Sequence, residues 1–145
     1  SVEVPGVVNG TIGEPNDIDQ FRFRVPGDQK VAIEVQARQF GSPLDALLTL
    51  TDAQGAVLQR NDDSGGPDAR LEFDAKAGVE YRVSLRDLTD RGGPRFGYRL
   101  TLRQPVQSPD FAVRAAGGRF RIAQGGRLAI RCEVERRNGF DGVVR

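Results

Sequence analysis

The chain has 145 residues, 38% of them hydrophobic and 28% charged, with a formal net charge of +1. That is enough apolar material for one ordinary domain, or for one small domain and part of another, and the balance argues against disorder. The near-neutral charge argues against a nucleic-acid partner. The absence of histidine removes the usual general base, the usual zinc ligand and the usual activator of a serine or cysteine nucleophile.

A short strand is predicted over residues 7–12. Phe21, Phe23 and Val25 form the next apolar stripe, and Val31, Ile33 and Val35 follow the turn Pro26-Gly27-Asp28. Leu48 and Leu50 lead into the turn Asp52-Ala53-Gln54-Gly55, and Val57 continues the stripe beyond it. Residues 41–63 therefore read as a β-hairpin that ends in the acidic loop Asn61-Asp62-Asp63-Ser64-Gly65-Gly66. Leu71 and Phe73 come next. Val79, Tyr81, Val83 and Leu85 follow Ala77-Gly78, and Phe96, Tyr98, Leu100 and Leu102 follow Gly92-Gly93-Pro94.

This spacing predicts an all-β fold, an antiparallel β-sandwich of about eight strands. The outward partners Arg22, Arg24, Glu34, Gln36, Arg82, Ser84, Arg99, Thr101 and Arg103 are polar, as a strand buried on one face requires. The bases are nearly all arginine and are interspersed with acids along the chain, which reads as a mixed solvated surface. No segment of useful length carries the helical period. Residues 46–50 could open one turn, but β-branched Thr49 and Thr51 argue against its continuation.

Gln104-Pro105-Val106-Gln107-Ser108-Pro109 reads as a linker, because its two prolines interrupt a ladder. The division is a first module at 1–104, a linker at 105–109 and an incomplete second β domain at 110–145. The charge balance changes there too, from −3 over residues 1–104 to +4 over 105–145. Three strands are predicted in the tail, at 111–113, 120–122 and 128–134, with a turn at Asn138-Gly139. These strands alone would expose an apolar face and an unpaired edge, so residues 110–145 are expected to be disordered, docked on the first module or paired through an edge strand with another molecule. The single cysteine, Cys132, lies in the stripe Leu128, Ile130, Cys132, Val134 and is expected to be a small core residue. There is no methionine, even at position 1, which points to a piece of a longer or processed protein. No run approaches the ~20 apolar residues that span a bilayer.

Seven phrases, in this order and spacing, carry a resemblance. They are Asn9-Gly10-Thr11-Ile12, Asp17-Ile18-Asp19-Gln20-Phe21-Arg22-Phe23, Gly41-Ser42-Pro43-Leu44-Asp45, Leu48-Thr49-Leu50-Thr51-Asp52-Ala53-Gln54-Gly55, Asn61-Asp62-Asp63, Gly78-Val79-Glu80-Tyr81 and Phe96-Gly97-Tyr98-Arg99-Leu100. Residues 7–103 thereby resemble the bacterial pre-peptidase C-terminal domain family, which is similar to the collagen-binding domain of clostridial collagenases. The resemblance implies a jelly-roll sandwich appended to secreted proteases and other exported proteins, without catalytic activity of its own. The phrases Pro109-Asp110-Phe111, Gln124-Gly125-Gly126 and Arg136-Arg137-Asn138-Gly139-Phe140-Asp141-Gly142 look like the start of an Ig-like repeat of a large bacterial surface protein.

Some members of the family bind calcium through acids before the first strand together with acids before the second. The resemblance makes Asp17 and Asp19 the ligands here, next to Asn16 and Glu14, although only Glu3 precedes the first strand. Asn16 and Asp17 shaping a turn, with Asp19 bound to backbone N–H groups, explains the same residues without an ion. Asp62 and Asp63 could join Asn61 and Asp45 in a second oxygen-rich site. Asx turns before Gly65-Gly66 account for those letters as well. Asp45 is expected to pin its loop by hydrogen bonds. Paired acids also raise glycoside hydrolysis, but there is no tryptophan, and Tyr81 and Tyr98 lie on core stripes. Arg91-Gly92-Gly93-Pro94-Arg95 lacks the lysine and helix of a phosphate loop.

The expectation is a non-enzymatic accessory module of a larger exported bacterial protein, located outside the cell or on its surface, with calcium as the ion it could hold. Its partners would be neighbouring domains of the same polypeptide. The alternative is a module that targets an attached hydrolase to a protein or polysaccharide.

Overall fold

Alternation of apolar and polar side chains becomes eight strands in the first of two units, Ser1–Pro105. The computed structural model describes residues 1–63, 66, 68–105, 110–115, 121–122, 124–137 and 140–144. The strands are β1 (Gly6–Thr11), β2 (Asp19–Phe23), β3 (Gln29–Gln36), β4 (Ala46–Asp52), β5 (Val57–Asn61), β6 (Arg70–Ala75), β7 (Tyr81–Asp87) and β8 (Gly97–Arg103). β1 pairs with β8, β2 with β7, β3 with β6 and β4 with β5, all antiparallel. β8 also pairs with β3, and β7 with β4, which closes two four-stranded sheets, β1-β8-β3-β6 and β2-β7-β4-β5. Nested antiparallel pairs wound up in this way form a jelly roll.

The inward stripes of both sheets share one core. Val31, Ile33, Leu100 and Leu102 of the first sheet cluster with Leu48, Leu50, Val83 and Leu85 of the second, all with no exposed surface. Each such side chain contributes about 1.5–3 kcal/mol by leaving water. Phe23, Phe73 and Tyr81 form an aromatic group at one side of this core, with ring centroids 4.9–6.1 Å apart. The Tyr81 hydroxyl accepts from the Lys76 N–H at 3.0 Å, so its polar end is satisfied there.

The β4–β5 hairpin forms around the expected turn. The Asp52 carboxylate accepts the N–H groups of Gln54 and Ala56, both at 2.9 Å, and Gly55 supplies the positive φ of 89° that closes the loop. The register shifts between Leu50 and Thr51, which places Val57 beside outward Thr51. Val57 is 57% exposed and does not continue the buried stripe, because this bulge turns it to the other face. Val79 is likewise exposed, in the turn that precedes β7. A 3-10 turn at Arg38–Phe40 is held by Asp68, whose carboxylate accepts the N–H groups of Ala37 and Arg38 at 3.1 and 2.9 Å.

The second unit is Val106–Arg145. It contains β9 (Asp110–Ala115) and β10 (Cys132–Arg137), paired antiparallel with Cys132 opposite Ala115. Phe120, the Asn138-Gly139 turn and linker residues 106–109 lie outside the described residues. Arg121 and Ile122 are not in a strand, and the strand expected at 128–134 begins only at Cys132. Cys132 is exposed, contrary to the core position expected for it, and so in large part are Leu128, Ile130 and Val134. Alternation marks a face that needs cover, and among the described residues these two strands form a single layer. Among the described residues no helix is long and apolar enough to cross a membrane.

Candidate functional site

Asp17 and Asp19 flank exposed Ile18 at the entrance to β2. The Asp17 carboxylate accepts the Gly13 N–H at 2.8 Å, and the Asp17 N–H donates to the Glu14 carbonyl at 3.2 Å. Asn16, in the left-handed region with φ 67°, donates its N–H to the Asp90 carbonyl. Asp17 thus closes a turn that is tied to the loop after β7.

Asp19 points inward instead, where its carboxylate accepts the Tyr98 hydroxyl. Tyr98 lies on β8, in the opposite sheet, so this hydrogen bond joins the two layers. Burial pushes the phenol well above its ordinary value, and the bond to Asp19 and the negative charges of Asp19 and Asp17 add to that. Gly10 is the register partner of Tyr98 on β1. A Cβ at position 10 would lie inside contact distance of the phenol ring, so the tyrosine occupies space that only glycine leaves open.

At the acidic loop, Asn61 Nδ2 donates to the Asp63 carbonyl at 3.0 Å, and Asn61 Oδ1 accepts the Arg70 N–H at 3.3 Å. Asp62 accepts the Asp63 N–H at 3.0 Å. Ser64 and Gly65 lie outside the described residues. Asp45 is distant in role: its carboxylate forms an ion pair with Arg38 at 2.9 Å, and its carbonyl accepts the Leu88 N–H. Among the described residues, no three acidic, histidine or cysteine side chains gather at a spacing that would hold a metal.

The most heavily engaged acid is Asp87, at the end of β7. It is the buried charged residue of the described core, with no exposed surface. Its carboxylate accepts six hydrogen bonds: from the N–H groups of Asp45, Thr89 and Arg91, from the Thr89 hydroxyl, and from Nε and Nη2 of Arg91. Burial alone would raise its pKa. The Arg91 guanidinium and the N–H and hydroxyl donors outweigh that and hold the carboxyl well below the ordinary carboxylate range. Arg91 also donates to the Pro43 carbonyl at 3.2 Å and lies over the Phe96 ring at 5.6 Å. Asp87 thereby ties together the start of β4 and the loop between β7 and β8.

No family model matches the chain, and no curated protein matches it. Solved structures do match its fold. The pre-peptidase C-terminal domain of a collagenase from Bacillus anthracis superimposes with a TM-score of 0.56 at 16% identity, over 70% of this chain and 90% of that one. The chain carries the pre-peptidase C-terminal domain fold. PliG of Aeromonas hydrophila, a periplasmic inhibitor of g-type lysozyme, aligns over 70% of this chain and 94% of its own, at 15% identity and a TM-score of 0.49.

Within this pre-peptidase C-terminal fold, the sequence phrases fall at structural joints. Asn9 and Gly10 face Arg99 and Tyr98 across the β1–β8 pair, and Asn9 accepts from Arg99 Nε at 2.9 Å. Sequence reading missed Asp87 and Asp68. The signal for Asp87 was present: it continues the inward stripe Tyr81, Val83, Leu85, which puts a carboxylate at a core position shortly before Arg91. Asp68 gave no comparable signal, because its partners lie about thirty residues away in sequence.

Proposed function

We propose that residues 1–105 form a non-catalytic accessory module of a larger exported protein. The observation that carries this reading is the fold shared with the pre-peptidase C-terminal domain of a collagenase. The use of the acids supports it: the Asp87, Asp19 and Asp17 carboxylates are all engaged by protein donors that hold loops and sheets. The test is turnover of casein, gelatin and neutral and acidic glycans by the purified chain between mildly acidic and mildly alkaline pH. No turnover above buffer is expected. Activity that disappears in Asp19→Asn would overturn the proposal.

A second reading, a module that targets an attached enzyme to its substrate, has one observation in its favour. A groove of about 410 Å³ is lined by Asn9, Phe40, Ser42, Arg95, Tyr98 and Arg99. Phe40 is 63% exposed, with the Arg99 guanidinium 6.0 Å from its ring. On this reading the chain co-sediments with an insoluble protein or polysaccharide substrate, and Phe40→Ala releases it.

One oxygen of Asp17 is taken by the Gly13 N–H and one of Asp19 by the Tyr98 hydroxyl, which leaves each acid at most one open oxygen where calcium wants about six to eight ligands. The melting temperature is therefore expected to be the same in millimolar calcium and in chelator. A rise of several degrees with calcium that is lost in Asp17→Asn with Asp19→Asn would show that the two acids take an ion after all.

A further inference from the structure

The outward faces of the two sheets differ in charge. On β1-β8-β3-β6, bases sit beside acids: Arg103 and Arg70 pair with Glu34 at 2.8 and 2.9 Å, and Lys30 with Asp74 at 3.6 Å. On β2-β7-β4-β5, register sets Arg22 opposite Arg82, and Arg82 opposite Thr51. The next outward row is Gln20, Ser84, Thr49 and Arg60, and Arg86 follows on β7. None of the outward strand positions on this face carries an acid. Arg82 and Arg86 reach carboxylates only at the rim, on Glu80 and Asp90. Among the described residues, no acid pairs with Arg22 or Arg60. The interspersed charges of the sequence therefore separate on folding, one face neutralised and the other basic.

Like charges directly opposite on neighbouring strands repel. A cleft of about 320 Å³ is lined by that pair, Arg22 and Arg82, together with Gln20 and Phe21. Arg82 gives Nε and Nη2 to Glu80 at the rim, while among the described residues Arg22 has no acid partner. An oxyanion in the cleft would therefore pair with Arg22, share Arg82 with Glu80 and relieve the repulsion between the two.

We propose that this cleft is an anion-binding site, and that the arginine face around it holds an acidic polysaccharide bearing sulfate or carboxylate groups. Gln20, Ser84 and Thr49 in the adjoining row supply neutral donors and acceptors of the kind that sugar hydroxyls pair with. The face has no projecting helix to enter a duplex groove, and Phe21 packs against the core rather than standing out to stack on a base. Its centre lacks the aromatic anchor of a protein interface.

The function of the site rests on the reading of the sandwich as non-catalytic, and the experiment separates the two. Isothermal titration of the chain with dextran sulfate is expected to show saturable binding at low salt that weakens as salt rises, and none with uncharged dextran of equal length. Arg22→Gln with Arg82→Gln is expected to weaken it about tenfold, while Lys30→Gln on the opposite face leaves it unchanged. Equal loss in Lys30→Gln, absence of saturable binding, or tighter binding of a mixed-sequence single-stranded oligonucleotide of the same charge would overturn the site or its ligand. Gel filtration of the recovered dextran sulfate tests the other reading: shortened chains would overturn the non-catalytic module, and intact chains are the result it expects.

Discussion

Asp87→Ala is expected to lower stability by about 3–5 kcal/mol and the melting temperature by more than about 10 °C. Urea and thermal unfolding at neutral pH would measure this. The substitution removes the acceptor for six hydrogen bonds at once and leaves the donors of Asp45, Thr89 and Arg91 facing an empty core position. Arg91 keeps its bond to Pro43 and its place over Phe96, so the loop loses its centre before it loses all its contacts. A loss below about 1 kcal/mol would show that the loop is held by those remaining contacts instead.

The same carboxylate sets an acid dependence. Its pKa is depressed in the folded chain relative to the ordinary 3.8, because the Arg91, Asp45 and Thr89 donors overcome the effect of burial. As pH falls, the unfolded chain takes up the proton first. The stability owed to Asp87 is thus complete above the ordinary carboxylate value and drains away as pH falls below it toward the folded value. Asp87→Asn keeps the volume but cannot titrate, and its amide adds donors where donors already crowd. The gap in unfolding free energy between wild type and Asp87→Asn is expected to be widest at neutral pH and to narrow below about pH 4. A gap that does not change with pH would remove the carboxylate's charge from the account.

Gly10→Ala is expected to cost about 1–3 kcal/mol, an overpacking effect unusual for so small a change. The new methyl would press on the phenol of Tyr98, which is 5% exposed and cannot swing into solvent. Tyr98→Phe is expected to cost about 1–3 kcal/mol for a different reason: it deprives Asp19 of its donor between the sheets. The two changes meet at one atom, since the phenol oxygen is both the group nearest the added methyl and the donor to Asp19. The double variant is therefore expected to lose less than the sum of the singles, by roughly 0.5 kcal/mol or more. Additive losses in a double-mutant cycle would mean that the ring shifts away from Gly10 without disturbing Asp19.

The strands were legible because each buries one side. The stripes Val31-Ile33-Val35, Leu48-Leu50, Val83-Leu85 and Leu100-Leu102 are all core in the folded chain. Where the signal failed, the cause is visible. Val57 alternates correctly in sequence, but the bulge after Leu50 turns it outward. Leu128, Ile130 and Cys132 alternate as well, yet remain exposed with no second layer in their unit among the described residues. Of the sites, Asp17 and Asp19 were noticed as a pair, but the partner of Asp19 lies 79 residues away, in the other sheet. The basic face was hidden for the same reason. Arg22 and Arg82 stand far apart in the chain and become neighbours only through the β2–β7 register.

The nesting of the strands also dictates an order in time. Among the described residues β4 and β5 are the only partners in the sandwich that adjoin in sequence, while β1 pairs with β8 alone. A chain that leaves the ribosome in order can therefore close the central hairpin early, but must hold β1 unpaired until Gly97–Arg103 has emerged. So many distant pairings make for slow closure, and until the last strand arrives β3 and β1 offer open edges to any neighbouring chain. A nascent chain stalled before β8 would be an aggregation hazard out of proportion to the seven residues of that one strand.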